Sequence, residues 1–203
     1  MNGILCNKLQ TRGDLAAKVN EKIILGIDPG TRVMGYGVIE VKNSQLSIIQ
    51  YGVLRLEKLG SHELKLKKIF ERITQLITEY LPDEMAIEAP FYGENVQSML
   101  KLGRAQGVAM AAALARDVSI VEYLPKKVKQ SVTGNGNATK EQVAYMLEKL
   151  FNQPLERKFY DATDALAVGV CHFMHGRTKA LTGNGSKKSG WSAFLSENPE
   201  RIK

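Results

Sequence analysis

The sequence predicts an α/β fold in which a mixed five-stranded sheet carries packed helices. Two observations predict it. Three strand-like segments come first, joined by short turns, and helix-periodic segments then alternate with two more short strands. At 203 residues the chain is long enough to bury one sizeable core.

Residues 23–28 (IILGID) read as a buried strand that ends in an acid. Residues 33–41 and 46–56 are rich in β-branched and aromatic residues, with Asn43-Ser44 as the turn between them, so a meander follows. Leu64, Ile69, Ile73, Leu76, Ile77 and Tyr80 keep a helical period that Pro82 ends. Residues 85–88 (MAIE) form a fourth strand, again closed by an acid, and a helix from about 94 to 116 leads to a fifth at 118–123. Pro125 opens a short basic helix or turn. Thr139 is placed as an N-cap, with Gln142 completing a capping box for a helix to about Phe151. A last helix spans about 159–173.

Charge is informative once mapped. The net charge is +7, yet residues 23–176 carry eighteen Lys/Arg against seventeen Asp/Glu. The basicity lies in the ends: four against two over residues 1–22, and six against two over residues 177–203. Basic ends commonly meet phosphate backbones or simply keep a chain soluble. Three parts are expected: a flexible N-terminal extension (1–22), one main domain (23–176) and a basic tail (177–203), in which Trp191 marks a docking segment. The longest apolar run, residues 108–115, is far below the ~18 residues of a membrane span. The N-terminus lacks the apolar stretch of a signal peptide, and Cys6 and Cys171 have no ligand spacing, so the expected compartment is the reducing cytoplasm.

The chemistry lies in four carboxylates. Asp28 and Glu88 close two strands, each with a Pro within two residues, and ligands of open α/β sheets collect at such strand ends. In "FYDATDALAVGV", Asp161 and Asp164 sit three apart on one face of an apolar helix. First-turn acids also serve a helix dipole. Like charges packed this close, however, stay ionised only beside cations, and a carboxylate set without a His or Cys cluster suits hard divalent ions. His172 and His175 each lie eleven residues beyond one of these acids, or ~16 Å along a helix, and are expected at the surface or helix end. A two-ion site of this type hydrolyses phosphodiesters. The rival reading takes "GIDPGT" as the first phosphate loop of an actin-like ATPase or sugar kinase. That reading needs a second lobe for which the chain is short, and "TGNGNATKEQ" is no Walker loop.

Four segments together carry a resemblance: "ILGIDPGTRVMGYGVI", "AIEAPFYGENVQSMLKLGRAQGV", "VKQSVTGNGNATKEQV" and "DATDALAVGVCH". In order and spacing they resemble the RuvC family of bacterial Holliday-junction resolvases over residues 23–175. The resemblance implies a ribonuclease H-like sheet with helices on both faces and a homodimer. It also implies paired nicking of four-way junction DNA with two Mg²⁺ per site (Mn²⁺ substituting), and cooperation with the RuvA–RuvB branch-migration complex. By motif position the family's catalytic and metal-binding acids fall on Asp28, Glu88, Asp161 and Asp164. Phe91 matches its base-stacking aromatic, and Lys129 and Lys140 match its DNA-contacting lysines, with Lys126 and Lys127 ranked behind them. Tyr92 is expected to pack under the next helix, and Lys65, Lys67, Lys68 and Arg72 to form an ordinary exposed face. Gly103, Gly107, Ala111 and Ala115 make a small-residue stripe, expected partly on the sheet and partly at the dimer interface. Alternatives from other classes are an RNA–DNA hybrid nuclease and a junction-binding protein with a degenerate site.

Overall fold

The computed structural model describes residues 21–90, 95–156 and 160–181. Its elements follow the order β1 (Glu21–Asp28), β2 (Val33–Lys42), β3 (Gln45–Arg55), α1 (His62–Tyr80), β4 (Glu84–Glu88), α2 (Val96–Leu114), β5 (Ser119–Tyr123), α3 (Pro125–Thr133), α4 (Lys140–Phe151) and α5 (Tyr160–Leu181). The sheet order is β3-β2-β1-β4-β5, antiparallel through the meander and parallel from β1 to β4 to β5. Asn43 and Ser44 both take positive φ, 51° and 66°, the geometry that lets a two-residue turn follow strand twist.

Strand alternation divides the core. Ile24, Ile39 and Ala86 face α3, α4 and α5, whereas Leu25, Ile27, Met85 and Ile87 face α1 and α2. Helices therefore cover both faces, as expected. Helix ends follow local chemistry. Ser61 Oγ accepts from the Leu64 amide at α1, Leu81 closes that helix in the left-handed region, and Thr139 and Gln142 form a complete capping box on α4.

The sheet admits α5 unusually closely. A Cβ on Gly26 would lie 2.2 Å from the Ala165 carbonyl oxygen, and one on Gly35 only 1.8 Å from that of Asp161. No larger residue fits beneath this helix without moving it.

Three expectations are corrected. α5 runs to Leu181 rather than 173, which puts His172 inside the helix, where it is 8% exposed, and not at the surface. Its Nδ1 and the Tyr123 hydroxyl share a hydrogen bond of 2.9 Å, and its Nε2 meets the Glu84 carboxylate that Lys22 also pairs with. The α1 cations are not all free: Lys65 donates to the Thr31 carbonyl, and Arg72 donates to the Tyr36 hydroxyl while lying over its ring. The α2 stripe does not rest on the sheet. Ala105, Gln106, Ala109, Ala112 and Ala113 fill that role, and Gly107, Ala111 and Ala115 are exposed.

The buried Tyr123–His172–Glu84 chain clamps α5 to β4 and β5. His172→Ala is expected to cost ~1–3 kcal/mol in urea unfolding at pH 7, since it leaves the Tyr123 hydroxyl buried without its partner. Burial pushes the Glu84 carboxyl up, but hydrogen bonds from Lys22 and His172 outweigh it and hold the group below its ordinary value. A carboxylate held low adds stability above its unfolded pKa and loses it as pH falls through the folded one. The gap between wild type and His172→Ala should therefore narrow below about pH 4. A gap that widens there would remove the Glu84 hydrogen bond from the explanation.

Candidate active site

The register of β1 and β4 builds the first half of the site. Ile27 pairs with Ile87, so Asp28 and Glu88 end parallel neighbouring strands side by side, at a spacing of about 4.8 Å. Both continue the alternate series, Gly26 in β1 and Ala86 in β4, that faces α5. The start of α5 supplies the second half. Asp28 is paired across the hairpin with Gly35, and the Asp161 backbone rests on that glycine. Asp28, Glu88, Asp161 and Asp164 thereby line one cleft of about 340 Å³, together with Lys129 and Lys140.

Electrostatics mark this cleft as strained. Burial, then the charges of Glu88, Asp164 and Asp161, push the Asp28 carboxyl well above its ordinary range, with Lys140 opposing. Burial and Asp164 raise Glu88 from 4.5 to about 7 against the pull of Lys140 and Lys129. Asp164 is also raised, chiefly by burial, although its oxygen accepts from Lys140 Nζ at 2.6 Å. Three carboxyls, Asp28, Glu88 and Asp164, each held up by burial and a neighbouring acid, invite cationic charge.

All six of these residues were legible as candidates in the sequence. Phe91 and Tyr92 lie outside the described residues. Lys126 and Lys127 are exposed and do not line the cleft. Gln106 was missed. It is 7% exposed on the inner face of α2, and its Nε2 donates to the Glu122 carboxylate at 2.8 Å and reaches the Glu88 carbonyl at 3.5 Å. A polar residue breaking the alanine-rich buried face was the available signal.

The donor set suits a hard divalent ion, since only carboxylate oxygens are offered. Among the described residues, however, no three Asp, Glu, His or Cys side chains converge tightly enough to hold an ion alone. Mg²⁺ sites commonly use one or two carboxylates, retained waters and substrate phosphate oxygens, which this open cleft allows. No helix among the described residues is long and apolar enough to cross a membrane.

Comparison with known proteins gives one answer. Residues 24–172 match the family model for crossover junction endodeoxyribonuclease RuvC. The chain is 61% identical over 188 residues to the crossover junction endodeoxyribonuclease RuvC of Cytophaga hutchinsonii, covering 92% of this chain and 90% of that one. Against that of Porphyromonas gingivalis the identity is 55% over 185 residues, covering 90% and 98%. Among solved structures, the Thermus thermophilus RuvC in complex with Holliday junction substrate superposes with a TM-score of 0.73 at 27% identity, covering 77% of this chain and 96% of that one.

Proposed function

This chain belongs to the RuvC family of crossover junction endodeoxyribonucleases, and from that premise we propose that it resolves four-way DNA junctions by paired nicks at the cleft of four carboxylates. The observation that carries the reading is the convergence of Asp28, Glu88, Asp161 and Asp164 with Lys129 and Lys140 at one end of the sheet. The acids are the proposed holders of two Mg²⁺ ions, for which Mn²⁺ substitutes. Bound ions of this kind supply Lewis-acid charge to a phosphodiester and lower the pKa of water. Asp28 and Glu88 present their carboxylates from rigid strand ends, and α5 brings Asp161 and Asp164 onto them. Lys129 and Lys140 draw the DNA backbone to the cleft as point charges, Lys140 beside the amides of a helix N-terminus.

A junction presents two equivalent strands, so a two-fold homodimer with two clefts matches it. The outward face of α2 supports this assembly. Val96, Leu100 and Leu114 are 64%, 52% and 60% exposed along the line of Gly103, Gly107 and Ala111, a face where a second copy can approach closely. Residues 23–176 form the proposed nuclease domain, working in the cytoplasm with a RuvA–RuvB-type branch-migration complex. Glu21 and Lys22 of the expected extension join β1, and the first residues of the expected tail continue α5 to Leu181.

The test is cleavage of an end-labelled four-way junction in Mg²⁺ beside linear duplex and an RNA–DNA hybrid. Symmetric nicks confined to the junction are expected, and cutting of the hybrid alone would overturn the substrate. Phe91, in the segment after Glu88, is proposed to stack on a base near the junction centre. Phe91→Ala should lose ~1–3 kcal/mol of stacking, about 5- to 150-fold in cleavage with a smaller loss in binding, and equal cleavage rates would remove that role.

A further inference from the structure

We infer that Lys140 is a built-in counter-ion of the carboxylate cleft, competing with divalent ions for Asp164 until a DNA phosphate draws it away. The inference rests on the metal-site reading above and adds an order to it: the junction prepares the site for its ions. Three observations meet here. Lys140 Nζ lies 2.6 Å from Asp164 Oδ2, an ion pair linking α4 to α5 across 24 residues of sequence. Its charge also acts on Asp28, Glu88 and Asp161, so one ammonium faces all four acids. No three Asp, Glu, His or Cys side chains among the described residues converge enough to hold an ion unaided.

The arrangement lets the pair break readily. Asp164 is 19% exposed, but the Lys140 side chain is 51% exposed on a flexible stem at the first turn of α4, where it can swing toward solvent or toward a phosphate. An ammonium and a divalent ion held at one carboxylate oxygen repel each other and compete for its charge. Whatever attracts Lys140 outward therefore raises the affinity of the acids for metal. By linkage, bound metal releases Lys140 and raises affinity for the phosphate backbone by the same factor. The chain would then carry few ions, and cut little, away from a junction.

Lys140→Met keeps the length of the side chain and removes its charge. The position is exposed and the Thr139–Gln142 capping box remains, so the fold is retained. Mn²⁺ binding to the DNA-free protein, followed by electron paramagnetic resonance, should tighten about tenfold in Lys140→Met, within the usual range of site coupling. Lys140→Arg should bind like wild type. Adding an uncleavable junction should tighten Mn²⁺ binding to wild type by a larger factor than to Lys140→Met. Unchanged or weaker Mn²⁺ binding in Lys140→Met, with the signal lost in Asp28→Asn, would overturn the inference and leave the metal-site reading standing. Equal binding in wild type and Asp28→Asn would overturn the metal-site reading itself.

Discussion

Gly35→Ala is expected to leave a folded protein that binds junctions but cuts them at least about a hundredfold more slowly, the scale of a roughly 1 Å misplacement of reacting groups. The added methyl would stand 1.8 Å from the Asp161 carbonyl oxygen, a contact that only movement of α5 relieves. Overpacking of this kind typically costs ~1–3 kcal/mol. The movement falls on the end of α5 that carries Asp161 and Asp164, whereas Asp28 and Glu88 stay on the sheet. Half of the carboxylate set is thus displaced from the other half. Lys129 on α3 keeps its place, so the electrostatic part of DNA binding survives. Single-turnover cleavage in Mg²⁺, junction binding in Ca²⁺ and urea unfolding separate these effects. Cleavage at the wild-type rate would mean that the close approach of α5 is not what assembles the acids.

That glycine also shows where the sequence stops being readable. The turn at Asn43-Ser44, the capping box at Thr139 and Gln142, and the acids at two strand ends are written in neighbouring residues, so local chemistry announces them. The spacing Gly26, Gly35, Gly37 reads in a strand only as weakened propensity. What it accommodates is a helix more than a hundred residues later, and no local pattern names that partner. The same limit explains His172. Its partners Glu84 and Tyr123 come from two other strands, so a lone histidine near the end of an apolar run looked terminal. The α2 stripe failed for a different reason. Alanine and glycine fill both faces of that helix, so hydrophobic period could not decide which face met the sheet. The Lys140–Asp164 pair was hidden because each residue had been explained separately, one as a DNA contact and one as a metal ligand.

Asp28→Asn is expected to abolish junction cleavage and, at the same time, to raise the thermal stability of the metal-free protein at pH 8. Lewis-acid charge contributes several kcal/mol to such reactions, so a loss of at least about a thousandfold follows at ~1.4 kcal/mol per tenfold. The gain in stability has the opposite origin. Burial and the neighbouring acids raise the Asp28 carboxyl, so its ionised form is a cost to the native state at neutral pH. A carboxyl raised on folding contributes stability that is fully present below its unfolded pKa and is lost as pH rises through the folded one. For Glu88 that window runs from about 4.5 to about 7. Metal-free wild type should therefore lose Tm between pH 5 and pH 8, and Asp28→Asn should lose less, having one acid fewer to repel the others. Mg²⁺ binds only the deprotonated acids of the folded chain, so its addition should raise the wild-type Tm more at pH 8 than at pH 5. In Asp28→Asn that increment should shrink at both. Calorimetry of both proteins at the two pH values, with and without Mg²⁺, checks these expectations. A lower metal-free Tm for Asp28→Asn at pH 8 would mean that Asp28 is held by structural hydrogen bonds rather than by the charge it lends to a cation.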